Sequence, residues 1–141
     1  MASGDHRTGS DSRCCSPREF PLTWIDHQDH EHEDIAAVQA WLATLRDFAR
    51  DHEIGEIREL LDAAAHGMLE DTGDEKTPIK PVRREPEIYE LRHQALSKAM
   101  RFYHGEPAHR IDLLVGLHHH IKVSKAHQRA AIAHAAERYY R

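Results

Sequence analysis

The stretch from Pro86 to Lys125 constrains the fold more than any other part of this chain. Three segments follow one another there: EIYELRH (Glu87 to His93), KAMRFYH (Lys98 to His104) and RIDLLVGL (Arg110 to Leu117). Each has strand length and strand-forming residues, and the connections, Gln94 to Ser97 and Gly105 to Pro107, are short enough for hairpins. Side chains alternate across a strand. In the second segment Met100 and Phe102 therefore point one way, and Ala99, Arg101 and Tyr103 the other. In the third, Ile111, Leu113, Val115 and Leu117 form one apolar face. That face is expected to pack against helices, with Arg101 and Tyr103 on the opposite, open face. HHHIKVSK (His118 to Lys125) comes next, and on an extended chain His118, His120 and Lys122 share a side. A small sheet ending in a basic, His-rich run points to polyanions, and first to RNA.

Charge distribution supports this reading. Residues 1–75 carry 6 Lys/Arg against 18 Asp/Glu, whereas residues 76–141 carry 13 against 6 and hold 8 of the 14 histidines. The overall charge of −5 thus conceals a basic C-terminal half, and such a patch concentrates and steers phosphates. A chain of 141 residues suits one domain. No apolar run approaches the roughly 20 residues that cross a bilayer, and no basic stretch leads into an apolar signal core. The two cysteines, Cys14 and Cys15, are adjacent. No disulfide framework is expected, and the cytoplasm is the expected compartment.

The first 19 residues, rich in Ser, Gly, Asp and Arg, read as a disordered polar leader, with a single domain over 20–141. Phe20 to Ile25 is a short candidate strand. Ile35, Val38, Trp41, Leu42, Leu45 and Phe48 recur at spacings of three and four, the stripe of an amphipathic helix. The preceding HQDHEHED reads as its solvated, acidic first turn. Ile54, Ile57, Leu60, Leu61, Met68 and Leu69 form a second stripe, and the two suggest a helical hairpin on the sheet. Glu70 to Pro86 is a proline-punctuated linker that excludes helix. Ala126 to Tyr140 is a closing helix with Ala130, Ala133, Ala136 and Tyr140 on one side. The expected fold class is α+β: a small twisted antiparallel sheet, a helical hairpin on one face and a C-terminal helix.

With those residues in view, the chain resembles the RelE/ParE superfamily of type II toxins, and most of all its phage-derived, HigB-like branch. EIYELR is similar to that branch's strand ending in Glu-Leu-Arg, and AMRFYH to the following strand with an Arg–aromatic core. RIDLLVGLHHHIKVSK is similar to its Leu-Leu-x-Gly-Phe strand and lysine-rich run, before an Ala-rich helix ending in Tyr. The resemblance implies a cytoplasmic toxin that cleaves messenger RNA on the ribosome. A cognate antitoxin, typically a small helix-turn-helix protein, neutralises it. It implies no cofactor and no metal: the 2′-hydroxyl attacks the adjacent phosphorus while basic side chains move protons and stabilise charge.

On this reading Arg101 clamps a phosphate, with a surface ion pair to Glu90 as its structural alternative. Tyr103 stacks on a base or relays a proton. His119 and His120 stand where the branch carries lysines and would act as acid and base near neutrality. Arg92, Lys98, His104, His118, Lys122 and Lys125 are the expected RNA or phosphate contacts, Arg92 having a pairing with a helix carboxylate as its alternative. Tyr139 and Tyr140 dock the last helix. Consecutive histidines on a strand point alternately, so His118 to His120 alone offer no converging metal ligands. No metal site and no membrane contact are expected. The alternatives are a toxin acting on a protein such as a topoisomerase, a nucleic-acid binder without chemistry, and a degenerate toxin.

Overall fold

Hydrophobic alternation along residues 88–121 produces three long strands close to where the sequence predicts them. The computed structural model describes residues 5–96 and 98–141. In chain order the elements are β1 (Thr23–Asp26), α1 (Glu33–Thr44), α2 (Asp47–Ala65), β2 (Ile79–Pro81), β3 (Ile88–Ala95), β4 (Lys98–Gly105), β5 (Leu113–Ile121) and α3 (Lys125–Tyr139). The fold class is α+β. The sheet order is β1-β5-β4-β3-β2. Strands β2 to β5 pair antiparallel, but β1 runs parallel to β5, Thr23 opposite Leu113 and Asp26 opposite Gly116. The sheet is therefore mixed rather than purely antiparallel, because α1 and α2 carry the chain back before the antiparallel run begins. Of the described helices, none is long and apolar enough to cross a membrane.

Both faces of the sheet are covered. On one, Val38, Trp41 and Leu42 of α1 and Ile57 of α2 pack around Met100, Phe102 and Ile121. Leu60, Leu61, Ala64 and Ala65 of α2 close over Leu91 and Leu114. On the other, Ala131 and Ala135 of α3 lie against Tyr103, Val115 and Leu117. The expected orientation of β5 is thus reversed: Val115 and Leu117 face α3, not the helical pair. Ile111 precedes the strand and is exposed. Arg101 and Tyr103 are not on an open face either, since α3 covers that face and leaves them 8% and 1% exposed.

Several boundaries move. The first helix ends at Thr44, and the extended Leu45 and Arg46 separate it from α2. Phe48 therefore falls in α2 and is exposed. The linker contains the edge strand β2, and the β4–β5 connection spans residues 106–112, longer than a tight hairpin. The β3–β4 turn includes residue 97, which lies outside the described residues. Helix α3 buries Ala131 and Ala135 instead of Ala130 and Ala133. Tyr140 is exposed, whereas Tyr139 donates its hydroxyl to Glu87 Oε1 at 2.5 Å. Gly105 makes that docking possible, because a Cβ there would lie 2.3 Å from the Tyr139 ring.

The largest correction concerns the leader. Residues 1–4 lie outside the described residues, but 5–18 are packed and carry two 3₁₀ turns, Gly9–Asp11 and Arg13–Cys15. Arginines fasten this segment by donating to main-chain carbonyls. Arg7 donates to Val82 and Pro86, and Arg13 to Pro107, Arg110 and Leu113. Cys14 is fully buried in the core beside Leu22, Ala64 and Leu91. Gly67, at φ +71 just past α2, lets the chain turn where any Cβ would strike the Ser16 carbonyl.

Candidate functional site: a buried histidine cluster beneath the C-terminal helix

Strand register lines up the residues that the sequence singles out. Arg92 pairs with Arg101, and Arg101 with His120; Glu90 pairs with Tyr103, and Tyr103 with His118. Two adjacent cross-strand rows on the α3 face thus hold Arg92, Arg101, Tyr103, His118 and His120. A bulge between Tyr103 and His104 opposite Leu117 keeps the histidines in phase with these rows. His119 points to the other face, where its ring packs on Phe102 and its Nδ1 lies 2.5 Å from Gln28 Oε1. It borders a cavity of about 430 Å³ between the helical pair and the sheet, lined also by Trp24, Leu42, Ile57 and His104.

The first row is an ion-pair group, not a free phosphate clamp. Arg101 Nε lies 3.5 Å and Arg92 Nε 3.2 Å from Glu90 Oε2. Gln128 of α3 adds a weak donor to Glu90 at 3.4 Å. Arg92 therefore pairs with a strand carboxylate rather than a helix one. Burial raises the Glu90 carboxyl above its ordinary range against the pull of both arginines. Burial, and then Arg92, lower the Arg101 guanidinium. Two guanidiniums share one carboxylate, so this end of the sheet keeps an excess of positive charge. Lys80 pairs with Glu90 across β2 and β3 and adds to this charge, and Lys122 follows His120 in the same phase of the chain. Lys98, expected as an RNA contact, instead pairs with Ala95 and shares the face of Met100 and Phe102, away from Arg101. Lys122 N–H donates to the Ala99 carbonyl, which brings it beside the start of β4.

The second row leads into the histidine cluster. Its hub is Asp34, in the first turn of α1 and 8% exposed. His118 Nε2 donates to Asp34 Oδ2 at 2.8 Å, and His127 Nε2 of α3 to Oδ1 at 2.6 Å. His32 caps α1, its Nδ1 accepting from Asp34 N–H at 3.0 Å. The His32 ring lies 4.6 Å from that of His118 and 4.4 Å from that of His134, with His118 and His134 4.8 Å apart. His120 stacks on Tyr103, whose hydroxyl lies 2.9 Å from its Nε2, and meets His127 edge-on. Four ring nitrogens are buried without a partner: His118 Nδ1, His120 Nδ1, His127 Nδ1 and His134 Nε2.

Electrostatics keep much of this cluster uncharged. Burial, then neighbouring imidazoles, push His119 and His120 down to about 4. At neutral pH neither carries the charge of the lysine it was expected to replace. Burial also lowers His118 and His134, and raises the Tyr103 phenol far above its ordinary range. For Asp34, burial alone would raise the carboxyl; the His127 and His118 hydrogen bonds outweigh it and hold the group below its ordinary value. The HQDHEHED segment is thus no solvated helix start at its last residues. An N-cap sits directly beside the apolar stripe of its own helix, and that position was the available signal for His32 and Asp34.

A second buried group lies across the sheet and uses residues given other roles by sequence. His104, expected to contact RNA, is 1% exposed and faces away from Arg101. Its Nε2 lies 2.7 Å from Glu106 Oε2 and 3.6 Å from Cys14 Sγ. Glu106 also accepts from Ser12 Oγ at 2.5 Å and Arg13 N–H at 2.9 Å. Burial disfavours the His104 cation, but Cys14 and Glu106 overcome it and raise the imidazole to about 10. For Glu106, burial acts upward and the His104 contact, with Ser12 and Arg13, brings the carboxyl below its ordinary value. Nothing in the sequence couples Cys14 to residues 90 positions away.

No protein-family model, no curated protein and no solved structure matches this chain.

Proposed function

We propose that this chain is a toxin of the type II kind that acts on messenger RNA, with the cationic end of the sheet as its RNA contact. The cross-strand row Arg92, Arg101 and His120, with Lys80 opposite Glu90 and Lys122 following His120, carries the reading. The lysines form the rim of a surface where phosphates gain most from the unbalanced guanidiniums. The proposed reaction is attack of a 2′-hydroxyl on the adjacent phosphorus, with the proton leaving O2′, the P–O5′ bond breaking and a proton reaching the departing 5′-oxygen, to give a 2′,3′-cyclic phosphate and a free 5′-hydroxyl. Arg101 stabilises the charge that develops on the phosphate. The Tyr103–His120 pair supplies a proton relay, which RNA meets once the first turns of α3 lift from the sheet. A cytoplasmic location fits the free thiols of Cys14 and Cys15. An antitoxin would neutralise the chain by laying an acidic segment over the lysine rim.

The test is induction of the full chain in a bacterial host with transcript 5′ ends mapped, beside Arg101→Ala and the rim double variant Lys122→Ala/Lys125→Ala. Growth arrest with new cuts inside translated messages, lost in both variants, is the expected result. Arg101 is buried in an ion pair, so its variant is read only with a melting curve. The lysines are not buried, and their loss should leave the fold intact. For single-stranded RNA the slope of log affinity against log salt should fall by about 1.4, at ~0.7 per phosphate contact. Arrest without cuts would move the target to a protein such as a topoisomerase, and no arrest from folded protein would sink the toxin reading.

A further inference from the structure

We infer that His32, Asp34, His118 and His134 form a binding site for one divalent transition-metal ion of the zinc type. The inference concerns a structural ion and is independent of the RNA reading. A ring nitrogen of His32, an oxygen of Asp34 and a ring nitrogen of His118 lie within 4.8 Å of one another. His134 packs its ring on both His32 and His118. Three imidazoles and one carboxylate are a tetrahedral zinc donor set. Bonds of about 2.0–2.1 Å place donors about 3.3 Å apart, so binding draws the cluster together by side-chain rotation, furthest for His134, which lies outside that 4.8 Å group.

Two observations separate this from a chance collection of histidines. First, hydrogen bonding does not account for the cluster. His134 Nε2 is buried without a partner. Such a group is costly when left unpaired, and an ion on His134 gives its nitrogen a partner. Second, a supporting shell is already present. His127 Nε2 donates to Asp34 Oδ1, leaving Oδ2 for the ion, which would replace the proton between Oδ2 and His118 Nε2. Outer contacts of this kind orient metal ligands.

The other candidate donor group, Cys14, His104 and Glu106, offers three ligands. Its carboxylate is already occupied by Ser12, Arg13 and His104, which leaves an ion little to satisfy. The histidine site, by contrast, joins three elements: the start of α1, β5 and α3. With four protein donors it keeps no open position, as structural sites do. Its consequence is mechanical, because the ion fastens α3 at His134, past its first turns, to β5 and the start of α1.

The test uses the full chain, stripped by a chelator and titrated with Zn²⁺ against a competing metallochromic dye. Co²⁺ serves as a spectroscopic substitute. Saturation at one ion per chain, visible absorption of four-coordinate Co²⁺ and a raised melting temperature are expected. Asp34→Asn and His134→Gln should abolish the Co²⁺ band, and His127→Gln should weaken binding by about 10- to 100-fold. His27→Gln and His30→Gln, on exposed histidines outside the cluster, should change nothing. His134 is only half-buried, so its variant remains readable if Asp34→Asn fails to fold. Undiminished Zn²⁺ uptake by folded His134→Gln would overturn the site. So would binding that disappears with His27 and His30, or the absence of saturable binding.

Discussion

The buried clusters around Asp34 and around Glu106 lie on opposite sides of the sheet, and the two are built on opposite principles. Around Glu106 a buried carboxylate is fully engaged by Ser12, the Arg13 main chain and His104. A single ring nitrogen, His104 Nδ1, is left over there. Around Asp34 one carboxylate serves two imidazoles, three more rings crowd in, and four ring nitrogens have no partner. A saturated network fixes a structure, here the docking of residues 5–18 onto the sheet. An unsaturated one is stable only because the rest of the fold supports it, and it is where a ligand gains most.

The largest effect should come from breaking the saturated cluster. Glu106→Ala leaves the His104 cation buried and removes the acceptor for Ser12 and Arg13. Loss of one partner of a buried charge pair costs about 3–5 kcal/mol. Urea unfolding of the variant against the parent chain measures this, and a loss under about 1 kcal/mol would show that the cluster is not a charged pair.

Titration follows from the same geometry. His104 is raised from its ordinary 6.5 to about 10, so the folded chain keeps a proton that the unfolded chain releases across that interval. The stability it contributes is complete below pH 6.5 and is lost as pH rises towards 10. Glu106 acts on the acid side: its folded value lies below the ordinary 4.5, and its contribution is lost as pH falls through and below that range. Melting temperature against pH should decline between 6.5 and 10, and His104→Gln should flatten that decline.

The sequence shows the elements better than it shows how they cover one another. Period-two alternation identifies β3, β4 and β5, and the cross-strand convergence of Arg101, Tyr103, His118 and His120 follows from it. The same alternation cannot say that both faces are covered. Helix α3 reads as Ala-rich with no broad apolar stripe, yet the small side chains of Ala131 and Ala135 let it approach the sheet closely. That approach converts the expected open face into an interior. The leader was misread for a related reason. Its composition lacks apolar residues, but Arg7 and Arg13 hold it through main-chain carbonyls that no sequence pattern announces. The parallel pairing of β1 with β5 depends on residues 90 positions apart and is equally silent.

The smallest effect is expected on the unsaturated side, and it tests the contrast directly. Tyr103→Phe alone strands His120 Nε2, and His120→Leu alone strands the Tyr103 hydroxyl, each costing about 1–3 kcal/mol for a buried unpaired group. The double variant removes both partners of the 2.9 Å contact and also the orphaned His120 Nδ1. Replacing both partners by apolar groups of similar shape is close to neutral, so urea unfolding should place the double variant within about 1 kcal/mol of the parent. The equivalent change across the sheet, His104→Leu with Glu106→Leu, cannot be neutral, because Ser12 Oγ and Arg13 N–H would lose their acceptor. Equal losses for the two double variants would mean that the clusters are alike and that the open nitrogens around Asp34 carry no special meaning. A near-neutral double variant on the α3 face, beside a severe one on the other, would show that the Tyr103–His120 contact adds little to the stability of the metal-free chain.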